Sequence, residues 1–276
     1  MLNFTVGPVM SDSEILEVAS HSTPYFRTPE FSEVMLQNEG FVLDFLNAPE
    51  GSHVVFLTTS GTGAMESCVM NILNEQDKVI VIDGGSFGHR FVELVELHQL
   101  DHTVVRCDFG KQVTAEQLEP LKDHTALLVN MNETSSGTIY DMRLISSFCQ
   151  ENNILLIVDA ISAFLSDNVD MGKFGAAAVI TGSQKALAVQ PGVAVIALAP
   201  EALNRIERNP EKCMYLSLKQ ALKNMERGQT PFTPAVTTLL QINKRLTSIS
   251  NVGVQVEYNK ICSLAADFSE FCVDFY

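Results

Sequence analysis

Short apolar runs alternate with amphipathic stretches along most of the chain. The apolar runs predict strands at His53–Leu57, Lys78–Asp83, His102–Cys107, Thr125–Met131, Ile154–Asp159, Ala176–Thr181 and Val193–Leu198. Between them, apolar positions at helical spacing predict helices over Gly63–Leu73, Phe87–Leu100, Thr114–Leu121, Arg143–Asn152 and Glu201–Arg208. Ile154–Val158 is apolar throughout, without the polar alternation of a half-exposed strand, so it suits a sheet covered on both faces. Strand, helix and strand in succession predict an α/β doubly wound architecture, in which ligands lie beyond the carboxyl ends of strands.

Two further helices, Ser217–Arg227 and Ala235–Leu246, flank the breaker-rich Gly228-Gln229-Thr230-Pro231-Phe232-Thr233-Pro234. A final stripe of Val254, Tyr258, Ile261, Leu264, Ala265, Phe268, Phe271 and Cys272 falls at helical spacing and should cover a sheet or another helix. No candidate strand follows it before Tyr276, so this helix is expected to open a small domain whose remainder is missing. The expected organisation is an N-terminal segment over residues 1–14, a large α/β domain over 15–246 and the start of a truncated small domain over 247–276.

The 276 residues can bury a sizeable core, and 46% apolar with 18% charged residues is an ordinary globular balance. Charge changes the picture more. Eighteen basic against 33 acidic residues give a net −15, which disfavours nucleic acid or an anionic membrane as a partner. Any phosphate must then be held by locally placed amides and hydroxyls. Six dispersed cysteines without CxxC spacing fit free thiols in a reducing compartment rather than a disulfide or zinc framework, and no metal site is expected. The N-terminus lacks a signal-peptide pattern and no apolar stretch reaches membrane-spanning length, so a soluble cytoplasmic protein is the expectation.

Candidate chemistry sits at the predicted strand ends. Lys185 follows one strand in Gly182-Ser183-Gln184-Lys185-Ala186-Leu187, and Asp159 ends another 26 residues upstream. A buried lysine can lose its proton by desolvation and attack a carbonyl to form a Schiff base. A carboxylate held nearby can keep a pyridine nitrogen protonated, so the pair suggests pyridoxal 5'-phosphate (PLP) chemistry. The plainer readings are a helix cap for the segment beginning at Ala160 and a strand-end lysine that snorkels to solvent. Thr58-Thr59-Ser60-Gly61-Thr62-Gly63-Ala64-Met65-Glu66 follows a strand and opens a helix, where amides and the Ser60 and Thr62 hydroxyls can hold a phosphate. It is otherwise an ordinary capped helix start, and it is neither a Walker loop nor a GxGxxG fingerprint. In Gly84-Gly85-Ser86-Phe87-Gly88-His89-Arg90, Phe87 could stack on a flat heteroaromatic ring or simply anchor the core. His89 and Arg90 read there as solvated helix-start residues.

These motifs together resemble the class V aminotransferases of the fold-type I PLP enzymes, the group containing alanine–glyoxylate, serine–pyruvate and 2-aminoethylphosphonate–pyruvate transaminases. The resemblance runs from Gly7-Pro8 to about Leu246, and its most specific elements are Ser60–Glu66, Glu133-Thr134-Ser135-Ser136-Gly137, Val158-Asp159-Ala160 and Ser183-Gln184-Lys185-Ala186. It implies a large domain built on a mixed, mostly parallel seven-stranded sheet, followed by an incomplete small domain. It implies that Lys185 joins PLP through a Schiff base, Asp159 pairs with the ring nitrogen, Phe87 stacks on the ring and Thr134 lies near the ring hydroxyl. Ser60, Gly61, Thr62 and Gln184 would bind the phosphate. A homodimer with shared active sites is also implied, because Thr233 matches the segment by which the neighbouring subunit completes the phosphate site. The implied reaction is ping-pong transfer of an amino group from a small amino donor to a small 2-oxo acid. Tyr215-Leu216-Ser217-Leu218 is similar to the phosphonate transaminases, so 2-aminoethylphosphonate with pyruvate and alanine or serine with glyoxylate are the candidate pairs.

Two features depart from the family pattern. Thr5-Val6-Gly7-Pro8-Val9 stands where Pro-Gly-Pro is usual, and no residue matches the small-domain arginine that binds the substrate carboxylate. Arg27 could bind an anion near Gly7-Pro8 or form a surface ion pair. Cysteine desulfurases and related PLP lyases share the fold, but they stack histidine on the ring and present a catalytic cysteine on a later loop. A truncated, non-catalytic paralogue acting as a dimerisation or regulatory partner is the remaining alternative.

Overall fold

The computed structural model describes residue 3 and residues 5–273, so residues 1, 2, 4 and 274–276 of the expected first and last segments lie outside the described residues. Seven strands form the main sheet: β1 (His53–Leu57), β2 (Lys78–Asp83), β3 (Asp101–Arg106), β4 (Ala126–Asn130), β7 (Leu155–Asp159), β8 (Ala176–Gly182) and β9 (Ala194–Leu198). Between β4 and β7 in the chain, β5 (Asn132–Glu133) and β6 (Thr138–Ile139) make a small antiparallel hairpin. The main sheet has the order β1-β9-β8-β7-β4-β2-β3, and only β9 runs against the rest. All seven predicted strands are present within one residue of their expected bounds. Every residue of β4, β7, β8 and β9 is buried, as the unbroken apolar runs required.

Eleven α-helices accompany the strands among the described residues: α1 (Ser13–Val18), α2 (Pro29–Phe45), α3 (Gly61–Ile72), α4 (Ser86–Leu97), α5 (Ala115–Leu118), α6 (Met142–Glu151), α7 (Met171–Phe174), α8 (Pro200–Arg208), α9 (Leu218–Met225), α10 (Val236–Val252) and α11 (Val254–Val273). Side chains alternate across a strand, and β7 divides accordingly between two cores. Leu155 and Ile157 pack with Met65, Val69, Ile72, Phe91 and Val95 of α3 and α4. Leu156 and Val158 pack with Met35 and Val42 of α2, Ile145 of α6, and Leu239 and Ile242 of α10. The sheet is therefore covered on both faces, which fixes its functional edge at the strand ends.

Beyond the short elements α1, α7, β5 and β6, which were not anticipated, three helices differ from expectation. Helix α2 lies in a segment where no helix was predicted, yet its start is well specified: the Thr28 side chain accepts from the Phe31 amide and Pro29 occupies the first turn. Helix α10 continues to Val252, past residue 246, and Gly253 follows at φ 93°. Beyond that glycine, α11 leans on α10 through the Arg245–Glu257 ion pair, while Val256, Leu264, Phe268 and Phe271 stay exposed. The terminal stripe does not cover the sheet: its Leu264, Phe268 and Phe271 face solvent. Among the described residues no helix is long and apolar enough to cross a membrane.

Candidate active site

Parallel strands bring their carboxyl ends to one rim, and the loops there enclose a cleft of about 250 Å³. Of the residues anticipated for the site, Ser60, Gly61, Thr62, Phe87, Asp159, Gln184 and Lys185 all line it. Gly7, Pro8, Met65, Arg90, Asn130, Ile161, Ser162 and Pro191 complete the wall. Two wider surface grooves, of about 600 and 620 Å³, contain neither Asp159 nor Lys185 and lack this convergence.

Asp159 closes β7 and is only 1% exposed. Its carboxylate accepts from the Ile161 amide at 2.9 Å and from Asn130 Nδ2 at 2.7 Å, across the register pair that joins β4 to β7. The chain after it forms a turn rather than a helix, so the helix-cap reading does not apply. Burial pushes the carboxyl up to about 6, opposed by those two amides; the nearby Glu133 charge raises it further and Arg90 lowers it. Asn130 Oδ1, also buried, has no hydrogen-bond partner. A buried carboxylate without an ion pair among the described residues calls for a cation, which a protonated ring nitrogen would provide.

Lys185 stands in a tight turn after β8, held by the Ala188 amide on the Lys185 carbonyl at 2.8 Å and the Val189 amide on the Ser183 carbonyl at 3.1 Å. Ala188 takes φ 54° to make that turn. The ammonium donates to the Val6 carbonyl at 3.0 Å. Half-burial lowers the lysine, partly countered by the Asp159 charge. The N-terminal segment approaches so closely that a Cβ on Gly7 would lie 2.8 Å from Lys185 Nζ, and Gly7 adopts φ 146°. Only glycine satisfies both conditions.

The opposite end of the cleft is the start of α3. Ser60 occupies the N-cap but its hydroxyl caps nothing, which distinguishes it from an ordinary capped helix. It leaves a hydroxyl and the first α3 amides available to an anion. Gly61 permits the fit with the loop after β7, since a Cβ there would meet Ile161 Cδ1 at 2.0 Å. Phe87, in the first turn of α4, is half-buried against the cleft rather than anchored in the core. Glu133 fixes this turn by accepting from the Phe87 amide at 3.3 Å and the Gly88 amide at 2.7 Å.

Two anticipated residues lie elsewhere. Thr134 is one hydrogen bond behind the wall, 2.9 Å from the hydroxyl of Ser162. Thr233 is exposed on the 600 Å³ groove and does not line the cleft of its own chain. Among the described residues Arg27 forms no acidic ion pair: its guanidinium donates to Gln229 Oε1 and to the Thr230 and Pro231 carbonyls, tying the segment before α2 to that loop. Arg90 belongs to the wall and is not merely solvated, whereas His89 turns outward to Asp83. Asn130 and Ser162 were not anticipated; the strand-end position of Asn130 was the available signal. Among the described residues no cysteine lines the cleft. A lysine amine, a buried carboxylate, an aromatic face and free donors at a helix start form a donor set that fits a phosphorylated pyridine aldehyde.

Residues 12–260 match the family described as aminotransferase class-V. The chain is 30% identical over 260 residues to the "Soluble hydrogenase 42 kDa subunit" of Anabaena cylindrica, covering 90% of this chain and 66% of that one. It is 26% identical over 260 residues to the L-aspartate–glyoxylate aminotransferase of Paracoccus denitrificans, covering 91% and 65%. The chain thus spans about two thirds of the length of these relatives. Among solved structures, the subgroup IV aspartate aminotransferase from Thermus thermophilus superposes with a TM-score of 0.85 at 28% identity, over 92% of this chain and 72% of that one.

Proposed function

The chain belongs to the class-V aminotransferase family, and from that premise we propose that it binds PLP through Lys185 and moves an amino group between a small amino donor and a small 2-oxo acid. One observation carries this reading: Lys185, lowered toward its neutral amine, shares a single cleft with a fully buried carboxylate held by two amides and no cation. When bound, PLP supplies an aldehyde carbon that exchanges amines and a protonated ring that withdraws electrons from the donor Cα. Asp159 would hold the proton on the ring nitrogen, and the resulting cation would relieve its own buried charge. Phe87 would stack on the ring, and Thr134 would act at the ring hydroxyl by way of Ser162. Ser60, Gly61, Thr62 and Gln184 would bind the phosphate oxygens through hydroxyls, helix-start amides and a side-chain amide. Lys185 Nζ, whose proton partial burial weakens, would in its neutral form take the proton from the donor Cα and return it.

A second copy of the chain would bring Thr233 to the phosphate end, making a homodimer with shared sites in the cytoplasm. Of the pair alanine or serine with glyoxylate, the acceptor is supported by the glyoxylate in the name of the Paracoccus relative, whose own named donor is L-aspartate. The pair 2-aminoethylphosphonate and pyruvate rests on the Tyr215–Leu218 motif, whose tyrosine hydroxyl donates to the Thr58 carbonyl at 3.1 Å, beside Ser60. Absorbance titration with PLP tests the reading. A visible band that forms with the wild-type chain and not with Lys185→Ala supports it, and its loss on adding donor amines shows the first half-transfer. No band, or an equal band in the variant, refutes it.

A further inference from the structure

Arg90 is the cleft residue to which the reading above gives no task. Its guanidinium lies 4.7 Å from the centroid of the Phe87 ring, and Nη1 donates to Thr62 Oγ1 at 2.9 Å. None of the ion pairs among the described residues includes it, although the chain carries 33 acidic side chains. A guanidinium has five N–H donors and keeps its charge at any ordinary pH, so most of its donors remain uncommitted after Thr62. Its charge reaches Asp159 and lowers that carboxyl, but no ion pair or hydrogen bond joins the two among the described residues. Thr62 lies in the first turn of α3, two residues from the uncapped Ser60 hydroxyl. An unpaired cation and a free hydroxyl thus meet at one end of the cleft, in a chain of net charge −15 that offers an anion little other attraction.

We propose that Arg90 supplies the positive charge of the phosphate site and, by stacking on Phe87, ties the ring platform to the phosphate cradle. The assignment rests on the PLP reading above and deepens it by naming the group that recognises the phosphate monoester. Lysine would keep the charge at this position but could not reproduce the planar stack while holding Thr62.

The test compares PLP with pyridoxal, which lacks the phosphate, in the wild-type chain, Arg90→Gln and Arg90→Lys, following both ligands by absorbance. Inorganic phosphate is the third probe, read as its shift of the thermal unfolding midpoint. Arg90→Gln should cut PLP affinity about tenfold or more, the range of a charge-assisted hydrogen bond, while pyridoxal affinity changes less than about twofold. Arg90→Lys should recover part of the PLP affinity, and the phosphate-induced shift should vanish only in Arg90→Gln. An unchanged PLP-to-pyridoxal ratio in Arg90→Gln, or equal loss of both ligands, overturns the assignment by making Arg90 a packing residue. If Arg90→Gln does not fold, Arg90→Lys decides between the same outcomes, because its ratio must still fall below wild type. A wild-type chain that binds neither PLP nor pyridoxal contradicts the cofactor reading instead, and the phosphate arm then judges Arg90 alone.

Discussion

Between pH 3.8 and about 6 the folded chain holds a proton on Asp159 that the unfolded chain has already released. Stability therefore falls as pH rises through that window, and above it the ionised, buried carboxylate costs about 3 kcal/mol. Asp159→Asn removes the charge, and the Asn130 amide can turn so that its unpartnered oxygen accepts from the new side chain. Without added cofactor, the variant should be more stable than wild type by about 1–3 kcal/mol near pH 8, converging with it below about pH 4, in urea unfolding followed by circular dichroism. Equal stabilities at both pH values would contradict the burial argument. The rim positions of Asp159 and Lys185 were legible in the sequence because the one ends and the other closely follows a predicted strand, where chemistry can reach the rim. Ser162 and Arg90 were not, since their meaning comes from contacts between loops and helix starts that no local pattern records, and Asn130 offered only its place at a strand end.

The start of α4 depends on an element far from it in sequence. Gly85 occupies its N-cap without a side chain, and Glu133 of β5 supplies the missing acceptor to the Phe87 and Gly88 amides. Glu133 also accepts from the Ser135 hydroxyl at 2.6 Å, so one fully buried carboxylate binds hairpin and helix together. A Cβ on Gly88 would meet the Ile82 carbonyl at 2.7 Å, which shows how closely α4 sits on β2. Glu133→Gln replaces an acceptor with a donor facing amides; it should lose about 1–3 kcal/mol in urea unfolding and weaken PLP binding as Phe87 loses its fixed orientation. Retained stability and affinity would show that the clamp is dispensable. Strands fully buried on both faces were read correctly from composition alone. The two-residue strands β5 and β6 and the four-residue helix α7 are too short to display a period, and α2 was missed although Thr28-Pro29 marks its start.

At the scale of the molecule, two covered faces leave the rim as the place for chemistry, and the exposed Thr233 lies outside the cleft of its own chain. If Thr233 serves a neighbouring subunit, a mixed dimer of Lys185→Ala and Thr233→Ala chains contains one intact site. Tandem-tagged mixed dimers should then bind one PLP with wild-type affinity, whereas service within a single chain leaves none; a spectroscopic titration distinguishes the two. The sequence disclosed the seven-stranded sheet, but the exposure of much of α11 after Gly253 could not be read from its apolar stripe. Everything proposed converges on the attachment of PLP to Lys185. Borohydride reduction of the PLP-loaded chain followed by peptide mass mapping measures that bond directly. The expected result is one pyridoxyl adduct on the peptide containing Lys185; an adduct confined to other lysines, or none, would contradict it.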